Sequence, residues 1–263
     1  MIPSRWIPEK VHWRLFAIRL AADPTSYMRF VTNRRRPTGE EIPLSIRLFP
    51  EGPVTIRART ADMFTLLDLL PPTHLPPPEL APIRHVWDLG ANIGLTMAHI
   101  AARHPDARIV GVEMDPENAA LARRNTAAYG DRCRIVEHAV WPEEAEVGYV
   151  RGDVDEAAFR VDGDVNGHDG SATTITLNKL LEDQPPGEPV DFVKMDIEGA
   201  EQRVLRENVE WAERVRCVRV EVHQPYTVEE CFDDLRRLGF EPSGEPSLWI
   251  EGRGKPVQGI RRA

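Results

Sequence analysis

The chain has 263 residues, of which 41% are hydrophobic and 29% are charged, and this composition is typical of a globular protein. No apolar run in the sequence approaches the roughly 18 residues that a membrane-spanning helix needs, and the N-terminus lacks the apolar core of a secretory signal. Three isolated cysteines, Cys133, Cys217 and Cys231, have no CxxC spacing and indicate reduced thiols. The sequence therefore predicts a cytoplasmic protein without membrane contact.

The net charge of −9 is distributed unevenly along the chain. Residues 1–60 carry 11 Lys and Arg against 5 Asp and Glu, a balance of +6, whereas the remaining residues carry 22 against 37, a balance of −15. A protein that follows a nucleic-acid backbone needs a positive surface. The acidic main body therefore predicts that nucleic acid is not a partner, and the basic run at 33–37 is too short to change that expectation.

The first 80 residues predict an extension that precedes the main domain. Apolar residues recur at helical spacing over 11–22, which predicts a helix packed on the main domain, with a membrane surface as the alternative contact. Residues 42–58 alternate as two short strands of a hairpin, and 61–70 form a helical pattern. The proline cluster at 71–78 is typical of a stiff linker. We therefore expect an extension over 1–80 and a main domain over 81–263.

The main domain alternates predicted strands with predicted helices. Strand patterns lie at 83–90, 107–115, 133–140, 190–196 and 215–223, and helical patterns at 93–104, 116–130 and 227–240. Asp115 followed by Pro116 supplies a helix N-cap and a first-position proline. This alternation predicts an α/β fold with a mostly parallel central sheet and helices on both faces. Ligands of such sheets lie beyond the carboxyl ends of the strands.

The first of these strands ends in the stretch "DLGANIG", residues 88–94. Its glycines Gly90 and Gly94 are spaced GxxxG, which differs from the dinucleotide fingerprint GxGxxG and disfavours NAD. We expect free backbone N–H groups at the following helix N-terminus to face a ligand, and Asp88 to accept a hydrogen bond from a ligand ammonium group. The alternative interpretation is that both glycines serve only packing.

The second strand ends at Glu113, 25 residues after Asp88. An acid at this place can accept hydrogen bonds from both hydroxyls of a ribose. The alternative is a solvated charge at a strand end. Together with the preceding turn, Glu113 predicts a ligand that joins a nucleoside to an amino-acid tail, namely S-adenosylmethionine.

Four stretches make the sequence resemble the FkbM family of S-adenosylmethionine-dependent methyltransferases: 86–101, 110–125, 138–150 and 190–205. "VKMDIEGAE" at 193–201 is the most diagnostic of them, and "RARTADMF" at 57–64 resembles the family's segment before the first strand. The resemblance covers about Arg59 to Phe240. It implies a Rossmann-like class I methyltransferase fold and, most often, O-methylation of a natural-product, polyketide or sugar hydroxyl. The cofactor-binding residues it implies are Asp62, Asp88, Gly90, Ala91, Asn92, Gly94, Glu113, Met114, Ala139 and Asp196.

The fourth strand leads into three carboxylates, Asp196, Glu198 and Glu201. Asp196 ends this strand at the same rim as the acids described above, where it can face the methionine ammonium, the sulfonium or the acceptor hydroxyl. Glu198 and Glu201 begin the next helix, whose positive end favours acidic residues. We expect Lys194 to neutralise the acids, with catalysis as the alternative.

The fifth strand ends with Glu221 and His223, which alternation places on the same side. We predict that His223 is the general base for the acceptor hydroxyl and that Asp196 is its partner; a purely structural histidine is the alternative. The predicted catalytic set is thus His223, Asp196, Glu221 and Lys194. A Mg²⁺ ion held by Asp196, Glu198 and Glu221 is the less favoured possibility.

Three further interpretations are disfavoured. The stretch "DGDVNG" at 162–167 begins like a calcium loop, but its twelfth position is Thr173 instead of Glu, so a polar loop on the substrate side is expected. An N-methyltransferase would call for an Asn/Asp-Pro-Pro-Tyr-like element after the fourth strand, and the sequence has none. A non-catalytic scaffold that binds S-adenosylmethionine is disfavoured by the intact glycine turn and His223. A homo-oligomer stays open.

Overall fold

The computed structural model describes residues 9–70, 74–151, 159–162, 170–244 and 255–261. Within these ranges the α-helices are α1 (Glu9–Leu20), α2 (Pro24–Thr32), α3 (Asp62–Asp68), α4 (Leu95–Arg103), α5 (Pro116–Thr126), α6 (Leu177–Glu182), α7 (Glu201–Arg206) and α8 (Val228–Arg237). The strands are β1 (Glu41–Leu44), β2 (Val54–Arg57), β3 (His85–Leu89), β4 (Arg108–Val112), β5 (Cys133–Val136), β6 (Ala139–Val140), β7 (Glu146–Arg151), β8 (Phe159–Asp162), β9 (Gly170–Ile175), β10 (Phe192–Met195), β11 (Cys217–Val222), β12 (Glu241–Gly244) and β13 (Lys255–Ile260).

A seven-stranded sheet forms the centre of the main domain, in the order β12-β13-β11-β10-β3-β4-β5. The five strands from β11 to β5 are parallel, and β13 is antiparallel to both of its neighbours. The chain first adds β4 and β5 on one side of β3 and then returns to add β10 and β11 on the other. This reversal between β3 and β10 opens a crevice at the carboxyl ends of the strands. The Rossmann-like class I methyltransferase fold expected from the sequence is confirmed.

Apolar side chains cover both faces of the sheet, as a parallel sheet requires. Val86 and Phe192 lie in the cluster on one face, while their neighbours Trp87 and Val193 lie in the cluster on the other face. All four side chains are buried. Burial on both faces explains why neighbouring residues of each strand are apolar, instead of alternating with polar residues as in a half-buried strand.

The predicted extension packs against one of these faces. Its hairpin pairs β1 with β2 antiparallel, with Ile42 opposite Ile56, as the sequence predicted. The apolar cluster on that face takes residues from the extension and from the main domain, including Leu20, Phe30, Ile42 and Leu66 from the former and Val86, Ile93, Ile100 and Ile109 from the latter. The two parts of the chain therefore share one core, and the boundary near residue 80 stays a prediction.

The described part of the proline cluster is packed rather than free. Pro76 and Pro77 are buried. The Nε2 atom of His74 lies 2.7 Å from Nδ1 of His99 on α4, and both rings are buried. The carbonyl of Leu75 accepts a hydrogen bond of 3.2 Å from the Arg219 guanidinium on β11. The segment thus contacts both α4 and β11 of the main domain.

Several elements differ from the sequence-based expectation. Residues 133–140 were expected to form one strand, but they divide into β5 of the central sheet and β6 of a separate four-stranded sheet, β6-β9-β7-β8. The helix expected over 116–130 ends at Thr126, because the chain tightens into a 3-10 segment in which Gly130 has a φ of 60°. The expectation missed α2, although Asp23 caps it and Pro24 starts it.

Two further expectations concern the calcium-like stretch and membrane-spanning helices. Of the calcium-like stretch at 162–167, the structure describes only Asp162, the last residue of β8, and the other positions lie outside the described residues. Among the helices of the described ranges, none combines the length and the hydropathy needed to cross a membrane.

Two turns touch where the strand order reverses. Gly90, directly after β3, has a φ of 80°, and a Cβ added there would lie 1.8 Å from the carbonyl oxygen of Asp196. Asp196 in turn donates its backbone N–H to the carbonyl of Leu89 at 2.9 Å. Gly94, at the start of α4, has a φ of 77° and packs on Ala122 of α5. Close packing therefore accounts for both glycines.

We predict that Gly90→Ala destabilises the protein far more than Gly39→Ala does. Gly39 has nearly the same φ, 79°, but nothing lies within 4 Å of an added Cβ. Its substitution should cost about 1 kcal/mol from the backbone conformation alone. Gly90→Ala should cost at least about 3 kcal/mol, because the Asp196 carbonyl must move as well. Urea unfolding of both variants measures the difference; equal losses would contradict the contact.

Candidate functional site

The turn after β3 is held by its own backbone. The N–H groups of Gly90 and Ala91 both donate to the carbonyl of Val112 at 2.9 Å, and Gly94 N–H donates to the Ala91 carbonyl at 2.9 Å. The N–H groups of these three residues are therefore occupied within the turn and at the end of β4. The expected free N–H groups belong to the N-terminus of α4, which begins at Leu95, and their contact with a ligand stays a prediction.

Glu113 is a buried acid that joins two turns. Its Oε2 accepts the backbone N–H of Asn92 at 2.7 Å, and its Oε1 accepts that of Asp115 at 2.9 Å. Asn92 has a φ of 48°, a conformation uncommon outside glycine, and so it reaches the carboxylate. Burial raises the pKa of Glu113 to about 7, against the lowering effect of the two hydrogen bonds. The side chain of Asn118 acts as a further hydrogen-bond donor that lowers this pKa. A carboxylate has about four acceptor positions, so Glu113 keeps acceptor capacity for a ligand such as a ribose.

Asp88 is the most isolated acid of the site. It is 0% exposed, and neither carboxylate oxygen has a hydrogen-bond partner within the described part of the chain. The nearest cation is the Lys194 ammonium, 3.6 Å from Oδ1 and beyond hydrogen-bond distance. Burial raises the pKa of Asp88 to about 6, although Lys194 acts to lower it. Such a carboxylate is costly to bury, and this position therefore fits a ligand that brings a positive charge or an N–H donor.

Lys194 pairs with the acids, as the sequence predicted. Its Nζ atom donates to Oδ2 of Asp196 at 3.0 Å, and strand pairing places Lys194 directly beside Asp88. Burial acts to lower the pKa of Lys194, but the carboxylates of Asp196, Asp88 and Glu221 outweigh it and keep the ammonium charged. Lys194 is thus a fixed positive charge between two strand ends. Neutralisation of the acids accounts for its place, and its catalytic role stays a prediction.

His223 lies among three carboxylates. Its Nδ1 bonds Oε1 of Glu201 at 2.8 Å, and its Nε2 lies 3.4 Å from Oε2 of Glu198 and 3.8 Å from Oδ1 of Asp196. Burial lowers the pKa of His223, but the hydrogen bond to Glu201 and the nearby negative charges outweigh this effect and raise it to about 10. The imidazole therefore holds its proton at neutral pH in this environment.

The rim also brings together potential ligands for a cation. Asp196, Glu221 and His223 each offer one ligand atom, and these atoms lie within 4.8 Å of one another. His223 thus takes the place of Glu198 in the predicted set. Burial and the charge of Asp196 raise the pKa values of both Glu198 and Glu221. Because Lys194 already bonds Asp196, a metal ion at this rim stays a prediction.

Two predicted cofactor residues lie in a small apolar cluster beside Glu113. Ala139, buried at the start of β6, packs with Trp141, and the partly buried Met114 packs against the same cluster. Ile197 and Ala200, from the turn after β10, also belong to it. The cluster forms an apolar wall that connects the end of β4 to the turn of Asp196. No periodic pattern in the sequence indicated Trp141 or Ile197 as members of this wall.

Asp62 has strong partners of its own. Its Oδ2 accepts the backbone N–H of Arg57 at 2.7 Å and Nε at 2.9 Å, and its Oδ1 accepts Nη2 at 2.8 Å. The same guanidinium donates to Oδ1 of Asn118 on α5 at 2.7 Å. The pair therefore fastens the extension to the main domain, and a direct contact of Asp62 with a cofactor stays a prediction.

A family model described as the methyltransferase FkbM domain matches residues 88–242, more than half of the chain. The match includes every strand end of the site described above. It also includes "VKMDIEGAE" and the separate sheet of β6 to β9.

Curated relatives match over shorter stretches. The chain is 40% identical over 57 residues to the O-methyltransferase imqG of Aspergillus flavus, which is 22% of this chain and 23% of that protein. It is 43% identical over 53 residues to the tRNA1(Val) (adenine(37)-N6)-methyltransferase of Porphyromonas gingivalis, which is 20% of this chain and 21% of that protein. The chain thus spans less than a quarter of the length of these relatives. Among solved structures, the apo S-adenosylmethionine-dependent methyltransferase SibL is 16% identical, with 77% of this chain and 57% of that chain covered and a TM-score of 0.44.

We predict that Asp88→Asn stabilises the ligand-free protein at pH 8. Burial raises the pKa of Asp88 to about 6, so ionisation opposes folding. This penalty is absent below the unfolded-state pKa of about 3.9 and complete above the folded-state value, and its full size is on the order of 2–3 kcal/mol. Urea unfolding at pH 8 and pH 4 should show a gain only at the higher pH.

The matched control is Asp191→Asn at the opposite end of the sheet. Asp191 is equally buried but accepts N–H groups of Arg84 and His85 and pairs with Arg216 at 2.7 Å. This substitution should destabilise the protein at pH 8. A loss of stability in Asp88→Asn as well would show that Asp88 is a satisfied structural acid.

Proposed function

The chain belongs to the FkbM family of methyltransferases, and from that premise we propose that it is an S-adenosylmethionine-dependent O-methyltransferase acting on a hydroxyl of a small molecule, such as a natural product, a polyketide or a sugar. The main support is the convergence of Asp88, Asp196 and His223 at the ends of β3, β10 and β11. An acid whose buried carboxylate oxygens have no hydrogen-bond partner among the described residues and a histidine whose Nε2 faces Asp196 thus lie at the crevice where this fold holds ligands.

Two acids fit the methyl donor. S-adenosylmethionine, when bound, supplies a methyl group activated by a sulfonium. Asp88 has two acceptor oxygens without partners among the described residues, which suits the ammonium of an amino-acid tail. Glu113 keeps acceptor capacity beyond its two backbone donors, which suits the hydroxyls of a ribose. The apolar wall of Met114 and Ala139 beside Glu113 suits a flat base.

The proposed proton chemistry belongs to His223, Asp196 and Glu221. A hydroxyl is a poor nucleophile at neutral pH, so a group that takes its proton during attack accelerates the reaction. The Nε2 atom of His223 faces the rim and can accept this proton when the ring is neutral. Asp196 and Glu221 then stabilise the resulting imidazolium. Alignment of the acceptor oxygen with the methyl group supplies the remaining acceleration.

The acceptor atom is the least constrained part of the proposal. The two curated relatives divide between an oxygen and a nitrogen acceptor by their printed names. A neutral amine attacks without prior loss of a proton, whereas a hydroxyl benefits from a base. The concentration of proton-binding groups around His223 therefore favours the hydroxyl over the N-methyltransferase alternative. The alternative outside the enzymes is a non-catalytic protein that only binds S-adenosylmethionine.

The direct test is mass spectrometry of products formed from S-adenosylmethionine and a panel of glycosides, polyketides, sugar nucleotides and amines. We expect one added methyl group on a hydroxylated acceptor, together with S-adenosylhomocysteine. Methylation of amines alone would establish the N-methyltransferase alternative. Donor binding without turnover on any acceptor would support the non-catalytic one.

We predict that Glu113→Ala lowers the affinity for S-adenosylmethionine at least tenfold. The substitution removes hydrogen bonds to a charged acceptor, each worth very roughly 1.5–3 kcal/mol. Calorimetry on the folded variant measures the loss. Glu117→Ala is the control, because Glu117 is an exposed acid on the first turn of α5 and should leave the affinity unchanged. Equal affinity of the two variants would remove Glu113 from the donor site.

We predict that the rate of methyl transfer rises with pH and that this rise ends well above the usual histidine pKa. The surrounding carboxylates raise the pKa of His223 to about 10, so the neutral ring forms only at alkaline pH. His223→Ala should lower turnover about 10²–10⁴-fold and abolish the rise. Steady-state rates across pH provide the measurement. Turnover near that of the wild type would refute the base role.

Glu198→Gln should move the same rise to lower pH. Glu198 is one of the charges that raise the pKa of His223, and its removal therefore releases the proton earlier. Glu229→Gln, an exposed acid on α8, should leave the profile unchanged. Repeating the assay with a chelator tests the alternative of a bound cation. Turnover that is lost with the chelator and recovered with Mg²⁺ would assign the chemistry to a bound ion.

A further inference from the structure

Glu201 is a fully buried carboxylate that the roles described above do not use. It is the first residue of α7 and is 0% exposed. Its Oε1 accepts the backbone N–H of Ile197 at 3.2 Å and faces Nδ1 of His223 at 2.8 Å. Its Oε2 accepts the backbone N–H of Gly199 at 2.9 Å. One side chain thus contacts two strand ends.

We propose that Glu201 is the positioning residue of the site: it fixes the tautomer and ring orientation of His223 and holds the turn that carries Asp196 and Glu198. The meaning of this role for catalysis rests on the proposed function. The geometry of the contacts does not.

The tautomer follows from the chemistry of the two partners. A carboxylate has no hydrogen to donate, so the hydrogen in this contact belongs to Nδ1 of His223. In the neutral ring the lone pair then lies on Nε2, which points to the rim, 3.8 Å from Oδ1 of Asp196. With the opposite tautomer Nε2 would be protonated and unable to accept a proton. Glu201 therefore selects the ring form that the base role needs.

The turn follows from the backbone contacts. Glu198 has a φ of 52° and Gly199 a φ of 106°, both in the left-handed region. A non-glycine residue there needs surrounding structure to hold it. Glu201 supplies part of this restraint through the N–H groups of Ile197 and Gly199. The same carboxylate thus sets the distance between His223 and the acids that face it.

A second acid in the first turn of a helix, which caps that helix without contacting His223, offers the comparison. Glu230 on α8 also begins a helix, and it accepts the backbone N–H and the hydroxyl of Thr227 at 3.0 and 2.9 Å. Its Oε1 accepts a hydrogen bond of 3.4 Å from Gln202 and lies 3.6 Å from the Arg206 guanidinium, both on α7. These contacts are to α7 and not to His223, Asp196 or Glu198. If Glu201 acted only on its helix, the two substitutions Glu201→Gln and Glu230→Gln would have similar effects.

The experiment compares Glu201→Gln, Glu201→Asp and Glu230→Gln with the wild type by NMR of ¹⁵N-histidine-labelled protein. In the wild type we expect a downfield, slowly exchanging Nδ1–H resonance of His223, assigned by its absence from His223→Ala. Glu201→Gln should shift it upfield or remove it. The glutamine oxygen can replace only one of the two accepting carboxylate oxygens, because the amide nitrogen donates and does not accept. Glu201→Asp should restore it in part, and Glu230→Gln should leave it unchanged.

Kinetics supply the second measurement. Glu201→Gln should lower kcat about 10–100-fold, with a smaller change in the KM for S-adenosylmethionine. An unmoved resonance, an unchanged kcat, or equal effects of Glu230→Gln would overturn the proposal. If Glu201→Gln does not fold, the wild-type spectrum decides, because a hydrogen on Nε2 of the neutral ring would overturn it. A shifted resonance in a protein that methylates nothing would leave the positioning role standing and refute the proposed function instead.

Discussion

The pairing of β3 with β10 places the charges on which the site depends. At this pair the strand order reverses, Lys194 lies beside Asp88, and the N–H of Asp196 bonds the carbonyl of Leu89 at 2.9 Å. Gly90 lets the two following turns touch, since any side chain there would collide with the Asp196 carbonyl. A displacement of either turn would therefore move an acid, a lysine and the mouth of the crevice together.

The rim contains more negative than positive charge, and folding alone does not require this. Lys194 is the fixed cation near Asp88 and Asp196, and the excess negative charge keeps the proton on His223. Burial of Asp88 without a hydrogen-bond donor among the described residues opposes folding. A protein that keeps such an arrangement gives up stability at the place where a cationic ligand would recover it. This cost of burial supports the proposed role of Asp88 in ligand binding.

Local patterns in the sequence predicted the hairpin, the five parallel strands of the central sheet, most helices and the strand-end residues, because apolar runs and caps are properties of neighbouring residues. They did not predict β7, β8, β9, β12 or β13. They could not predict partners. Glu201 was interpreted only as a helix-start acid, and its contact with His223, 22 positions away, exists because β11 lies beside β10. The N–H groups of Gly90 and Ala91 also find their acceptor in Val112, at the end of the neighbouring strand β4. The split of 133–140 between two sheets likewise depends on β9, the partner of β6.

The contacts around Asp196 also connect ligand binding to the proton on His223. Asp196 bonds Lys194 and lies 3.8 Å from Nε2 of His223, so its charge acts on both. On the proposed function, a positive charge brought to Asp88 and Asp196 would weaken the hold of these acids on the imidazolium and lower the pKa of His223. The base would then become available mainly when the donor is in place. Glu201 would keep the ring oriented throughout, because its carboxylate bonds the other nitrogen. Binding and proton transfer thus share one electrostatic network but use different atoms of it.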